Sequence, residues 1–196
     1  TIRASAGTGW RAPTIFDEQS EERGFLGVPP LHGSEHERGE SYSLDTRFKR
    51  IVESWIFSAD LNVFMTTIRD RTGLLPAAFT GGTTPIYQWG NIGIQRARGM
   101  EVILGSHFDD FGLNAGYTYA DVEEESNKTS SRKLFTPSHF VSAEIIWEIP
   151  QTIRIGTDMR FESPQQLPNN PYAAVSPWVV ILDLSVQLHI NRNLSI

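Results

Sequence analysis

Strict two-residue alternation limits this chain most. Trp55, Phe57, Ala59, Leu61, Val63 and Met65 are apolar, and Ser58, Asp60 and Asn62 fall between them. Side chains alternate across a β-strand, so one face of this stretch is apolar and the other mostly polar. A soluble sandwich buries the apolar face and wets the polar one. A barrel in a membrane turns the apolar face to lipid and the polar face to a lumen. The stretch alone is compatible with both.

The pattern recurs along the whole chain. Candidate strands start at Ile2, Tyr42, Trp55, Met100, Leu113, Val141, Ile153 and Val180, which makes eight. No segment of comparable length has a helical period, so the fold class is all-β. The 196 residues carry a net charge of -6, which argues against nucleic acid as a partner. Cysteine is absent, which excludes thiol catalysis, thiolate metal sites and disulfides. No apolar run approaches the ~18–20 residues of a transmembrane helix. A mean hydropathy of -0.27 says nothing against membrane strands, whose signal is alternation. The chain opens at Thr1 within a strand pattern, an expectation of a longer protein.

The connections decide between the two environments. Residues 11–40, 72–86, 123–139 and 163–177 are long connections; 51–53, 107–111, 150–151 and 191–192 are short ones. Long and short alternate, so an up-and-down meander gathers all long loops at one end and all tight turns at the other. Outer-membrane barrels are built this way. Several strands also exceed the ~5–6 residues usual in soluble sheets. Trp55 and Trp147 sit beside short turns, whereas Tyr87, Trp89, Tyr119, Phe161 and Trp178 sit toward long loops. That distribution matches two interfacial girdles. Asp60, Glu101, Glu144, Arg154, Asp158, Arg160 and Asp183 all fall opposite the apolar stripe, where a lumen hydrates them.

Several segments resemble the C-terminal half of TonB-dependent outer-membrane receptors. Gly9-Trp10-Arg11-Ala12-Pro13-Thr14, continuing through Glu18, is similar to that family's strand-to-loop motif. Glu37-Arg38 with Ser41-Tyr42-Ser43-Leu44 resembles the return segment, although Asp45 and Thr46 stand where a glycine is common. Asn91 to Gly93, followed by Arg98-Gly99-Met100-Glu101, resembles a further strand of the family. Tyr117-Thr118-Tyr119 and the Pro137-centred entry to the next strand are also similar. The resemblance implies a barrel of about 22 strands filled by an N-terminal plug. It also implies uptake of a ferric siderophore or similar scarce metal complex, or a corrinoid, through the TonB–ExbB–ExbD system. The expected localisation is the bacterial outer membrane, with lipid around the barrel, no resident cofactor and no enzymatic activity. By strand parity, residues 1–196 correspond to roughly strands 13 to 21 of such a barrel, with plug and final strand outside this chain. The alternatives are a complete eight-stranded outer-membrane barrel with an adhesin, structural or enzymatic role, and a soluble sandwich or lectin.

Candidate sites are sparse. His32, Glu35 and His36, with Glu37 adjacent, bring imidazole and carboxylate together in the longest loop, a donor set suited to zinc, nickel or copper. A hydrated loop without a ligand fits the same residues. Arg96, Arg98 and Glu101 are ligand-binding candidates in an outer loop or the lumen, the arginines to meet an anionic ligand or to pair with lumen carboxylates such as Glu101. Glu123-Glu124-Glu125 reads as a solvated loop base. No nucleophile–base–acid set or phosphate-cradling glycine loop occurs.

Overall fold

The structure is a computed structural model. It describes residues 1–14, 34–76, 87–126, 129–134, 136–150, 152–167, 170–191 and 194–195. His32 and residues 15–18 of the first family-like motif lie outside the described residues.

The alternating segments form one antiparallel sheet. Its strands are β1 (Ile2–Arg11), β2 (Glu37–Val52), β3 (Trp55–Pro76), β4 (Tyr87–Phe108) and β5 (Phe111–Ser126). They continue with β6 (Thr129–Arg132), β7 (His139–Ile149), β8 (Ile153–Glu162), β9 (Val179–Asn191) and β10 (Leu194–Ser195). Neighbours in sequence are neighbours in the sheet, with β6 pairing only the end of β5. The alternation of long and short connections holds throughout. Glu53 and Asp109 turn the chain with φ of 53° and 45° in two of the tight hairpins. The complete eight-stranded barrel is not borne out. Among the described residues β1 pairs with β2 alone, and no ladder joins it to β9 or β10.

The register sorts side chains into two faces, because directly opposed residues point the same way. Trp55, Phe108, Phe111 and Trp147 are successive partners across β3, β4, β5 and β7. They form an aromatic row beside the short turns, in which Trp55 stacks on Phe108 with centroids 4.6 Å apart. At the other end, Val63, Met100, Tyr119 and His139 form a second row. The Tyr119 and His139 rings lie 5.3 Å apart, and the Tyr117 hydroxyl meets His139 Nδ1 at 2.9 Å. Leu61, Val102, Tyr117, Val141, Phe161 and Val180 make one of the rows between. Arg50, opposite Phe57, is a charged residue on this face near its short-turn edge. Along β3, Trp55 to Met65 covers about 34 Å of strand at ~3.4 Å per residue. Tilted by ~40°, that is close to the ~25 Å height of a membrane barrel's apolar band.

Among the described residues no second layer covers this face. Leu61 is 42% exposed and Leu184 71%. A contiguous apolar surface of this extent is foreign to soluble monomers. Among the described residues the single buried large apolar side chain is Trp89, 5% exposed. It lies where β3 and β4 project past the band, opposite Leu74, so it is not the girdle residue that its place in the sequence suggests. Residues 123–126 are also not a loop base. β5 continues to Ser126 and pairs with β6, and Glu123 stands opposite Arg132. An opposite-charge cross-strand pair of this kind stabilises an extended hairpin.

Two glycines are demanded by geometry. A Cβ on Gly99 would sit 2.1 Å from the Tyr119 carbonyl oxygen and 2.8 Å from the Phe64 ring. Gly93 has φ 127° where the β3–β4 register shifts.

Candidate functional site

The candidate site is the polar face. Three rows cross it. The first runs Arg3, Asp45, Asn62, Glu101, Thr118 and Phe140. The second runs Arg47, Asp60, Ile103, Gly116, Ser142 and Arg160. The third runs Ser58, Gly105, Asn114, Glu144, Asp158 and Asp183. These rows exist because each strand presents its charged and small polar residues two apart, in phase with its neighbours.

The rows divide into halves of different character. On β1 to β3 the charges are paired. Arg47 Nε donates to Asp60 at 2.6 Å, Asn62 donates to Asp45 at 2.9 Å, and Arg3 lies 3.7 Å from Asp45. On β4 to β9 carboxylates predominate. Glu144 accepts from Asn114 at 2.9 Å, while Asp158 stands opposite both Glu144 and Asp183. The Arg160 guanidinium lies 5.9 Å from the centre of the Phe140 ring. Each half lines a concavity. One, of about 390 Å³, is bordered by Glu101, Asn114, Glu144, Asp158, Arg160 and Asp183. The other, of about 370 Å³, is bordered by Arg3, Asp45, Arg47, Asp60, Asn62 and Glu101. Glu101 borders both, so of the three strand residues singled out in the sequence it is the one on this face.

Arg96 and Arg98 lie elsewhere. Arg98 is opposite Met65 and Arg96 opposite Thr67, which places both on the apolar face, past its Tyr119 edge. Their expected pairing with Glu101 is therefore corrected. One residue of strand reverses the face, and 98 and 101 differ by an odd number. Arg98 instead donates to Asp121 through two nitrogens, at 2.8 and 3.1 Å, and lies 3.9 Å from Glu123. Arg96 donates to Glu125 at 2.7 Å. The hydrogen-bonded Arg98 guanidinium holds the Asp121 carboxyl below the ordinary carboxylate value.

The loop cluster divides as well. Glu37 is buried at the start of β2, where it accepts from Arg11 at 3.0 Å and from the Thr72 backbone N–H at 2.9 Å. Nearby, Arg71 donates to Gln95 and to Glu124. The His36 ring meets Trp10 edge-on. The Glu35 backbone N–H donates to the Asn91 side chain at 2.9 Å. Among the described residues no group of three His, Asp or Glu is placed to hold a metal ion. Sequence reading missed the Arg3–Asp45–Asn62 and Arg47–Asp60 pairs. Their signal was opposite charges at matching depths on consecutive strands, with Asp45 at one of the two positions that depart from the family-like segment.

The polar rows offer hydrogen bonds and charge to a solute, with no covalent machinery. No curated protein matches the chain. Its backbone is similar to the FrpB iron transporter from Neisseria meningitidis (F3-3 variant), with a TM-score of 0.70 at 15% identity, over 95% of this chain and 30% of that one. It is similar to a double mutant of the Serratia marcescens hemophore receptor HasR, solved with its hemophore and heme. There the TM-score is 0.67 at 14% identity, over 97% and 32%. The pyoverdine receptor FpvA from Pseudomonas aeruginosa PAO1 gives 0.67 at 15% identity, over 99% and 28%. The chain thus spans about a third or less of the length of these transport receptors. A family model for the TonB dependent receptor-like β-barrel matches residues 1–196, and the chain belongs to that family.

Proposed function

We propose that this chain is a contiguous sector of an outer-membrane barrel wall, in a receptor that takes up a ferric siderophore or similar scarce metal complex. The observation that carries the reading is the two-faced sheet. An apolar band, edged by an aromatic row beside the short turns and by Tyr119 and His139 toward the long loops, backs three rows of polar and charged residues. In this reading the apolar face meets lipid and the polar face lines the lumen. The long loops gather outside the cell, and a plug coupled to TonB, ExbB and ExbD gates passage. The wall is passive. The paired charges on β1 to β3 brace it, and Glu101, Asp158 and Asp183 keep the lumen wet and negative. The iron transporter and the pyoverdine receptor among the structures of similar fold support a metal complex as cargo.

The test is uptake in iron-limited cells carrying the full-length receptor or lacking its gene. Radioiron supplied as a ferric siderophore is expected to enter only with the receptor and only with TonB intact. Entry of radiolabelled cobalamin instead of iron would replace the siderophore with a corrinoid. Unchanged uptake of both in the deletion strain would sink the transport reading.

A further inference from the structure

Arg38 on β2 and Arg69 on β3 stand directly opposite each other, so both side chains leave the sheet on one face. It is the apolar face, since Tyr42 and Met65 form a pair two rungs away. Like charges directly opposed destabilise a sheet. At the long-loop end of this face other arginines meet acids: Arg96 faces Glu123, Arg98 faces Asp121, and Arg132 faces Glu123. Arg38 and Arg69 are exposed and form no ion pair among the described residues. Glu40, the next carboxylate along β2 on this face, pairs with neither. Trp10 stands opposite Arg38 on β1 and is 76% exposed.

Their height matters. Met65 to Arg69 is about 14 Å of strand at ~3.4 Å per residue. At the same ~40° tilt the arginine pair stands about 10 Å beyond the hydrocarbon edge, within reach of the headgroup layer. An uncompensated pair of guanidiniums beside a tryptophan, continuous with a lipid-matched band, is complementary to an anion held at that depth. Guanidinium forks bind phosphate oxygens in a bidentate manner, which also relieves the repulsion between the two arginines.

We infer that Arg38 and Arg69, flanked by Trp10, form an exterior docking site for the phosphate of a membrane-lipid headgroup. The inference rests on the outer-membrane reading above. The test uses the full-length receptor in phosphatidylcholine vesicles with and without phosphatidic acid. Flotation reports insertion, and native mass spectrometry after extraction reports retained phosphatidic acid. The double variant Arg38→Gln/Arg69→Gln is expected to float like the wild type and to bind phosphatidic acid about fivefold more weakly for each arginine removed. Arg38→Lys/Arg69→Lys keeps both charges and is expected to fall between the two. Equal retention in wild type and the glutamine variant overturns the site while leaving the receptor reading intact. Displacement of the lipid by inorganic phosphate at equal concentration also overturns it, because the site would then be one for the free ion. A wild-type receptor that fails to float with vesicles sinks both readings.

Discussion

The two faces of β3 are one residue apart in sequence and, in the function proposed above, meet different solvents. Leu61 lies in a row with Val102 and Tyr117, whereas Asn62 lies in a row with Asp45 and Glu101. In a soluble sheet the apolar row would be the core. Here Leu61, Val141 and Val180 of that row stay exposed, and among the described residues the buried large apolar side chain is Trp89, away from the band. The sheet therefore keeps its order through ladder hydrogen bonds, with little packed interior among the described residues, and in the function proposed above lipid covers its apolar face. The sharpest way to break this comparison is to put the same charge on each face. Leu61→Arg is expected to cost ~2–4 kcal/mol of folding stability in a bilayer, and Asn62→Arg much less. Urea unfolding of the full-length receptor in lipid vesicles reads both, and equal costs would erase the distinction between the faces.

A second contrast sets backbone contact against side-chain contact. Gly99 holds a place where the Tyr119 carbonyl and the Phe64 ring leave no room for a Cβ. Gly99→Val is expected to cost ~1–3 kcal/mol, as overpacking does elsewhere. Gly9, with nothing near its missing Cβ, is expected to accept alanine almost freely in the same unfolding assay. A tolerated Gly99→Val would mean that β4 and β5 can slide apart at this rung.

A third contrast lies at the long-loop end, between a buried and an open carboxylate. Glu37 serves Arg11 and the Thr72 backbone N–H while buried. Glu37→Ala leaves that N–H without its partner and is expected to cost ~1–3 kcal/mol. Glu125 pairs with Arg96 in the open, with side chains 37% and 44% exposed. Glu125→Ala is expected to change stability by less than ~1 kcal/mol, as exposed pairs do. Equal losses would mean that the rim is held by net charge and not by individual bonds.

These contrasts also mark what the residues disclosed before any coordinates. Alternation and loop length gave the fold class, the strand order and the two faces, because a period of two leaves no freedom about which side a residue takes. The same rule applied to Arg98 and Glu101 would have separated them, since an odd spacing puts them on opposite faces. Adjacency within a motif hid that. Pairing between strands was harder to see. Arg47 finds Asp60 only once a tight turn at residues 53–54 fixes the register. The extension of β5 past Glu123 was illegible for a related reason. Three successive glutamates look like solvent-exposed chain until Arg71, Arg96 and Arg98 arrive from other strands and Arg132 takes its place opposite Glu123. The loop candidates His32, Glu35 and His36 stand untested, because His32 lies outside the described residues, while the adjacent Glu37 is committed to Arg11 and Thr72.

The smallest expected effect concerns the rung where the apolar face ends. Asp121, its side chain 14% exposed, is held below the ordinary carboxylate value first by its hydrogen bond from Arg98. A carboxyl whose folded value is depressed binds fewer protons in the native state than in the unfolded one. Its stabilising contribution is therefore complete above the unfolded value of ~3.9 and fades as pH falls through the lower folded value. The stability difference between wild type and Asp121→Asn should be level from neutral pH to about 5 and shrink below about 4. Because the Arg98 side chain is 67% exposed, salt should shrink it at every pH. Matched urea unfolding at pH 7 and pH 3, each with and without added salt, separates the outcomes. A difference that survives acid and salt unchanged would mean that Asp121 acts by shape and hydrogen bonding alone, and that the charge at this edge of the apolar face contributes nothing to holding β4 against β5.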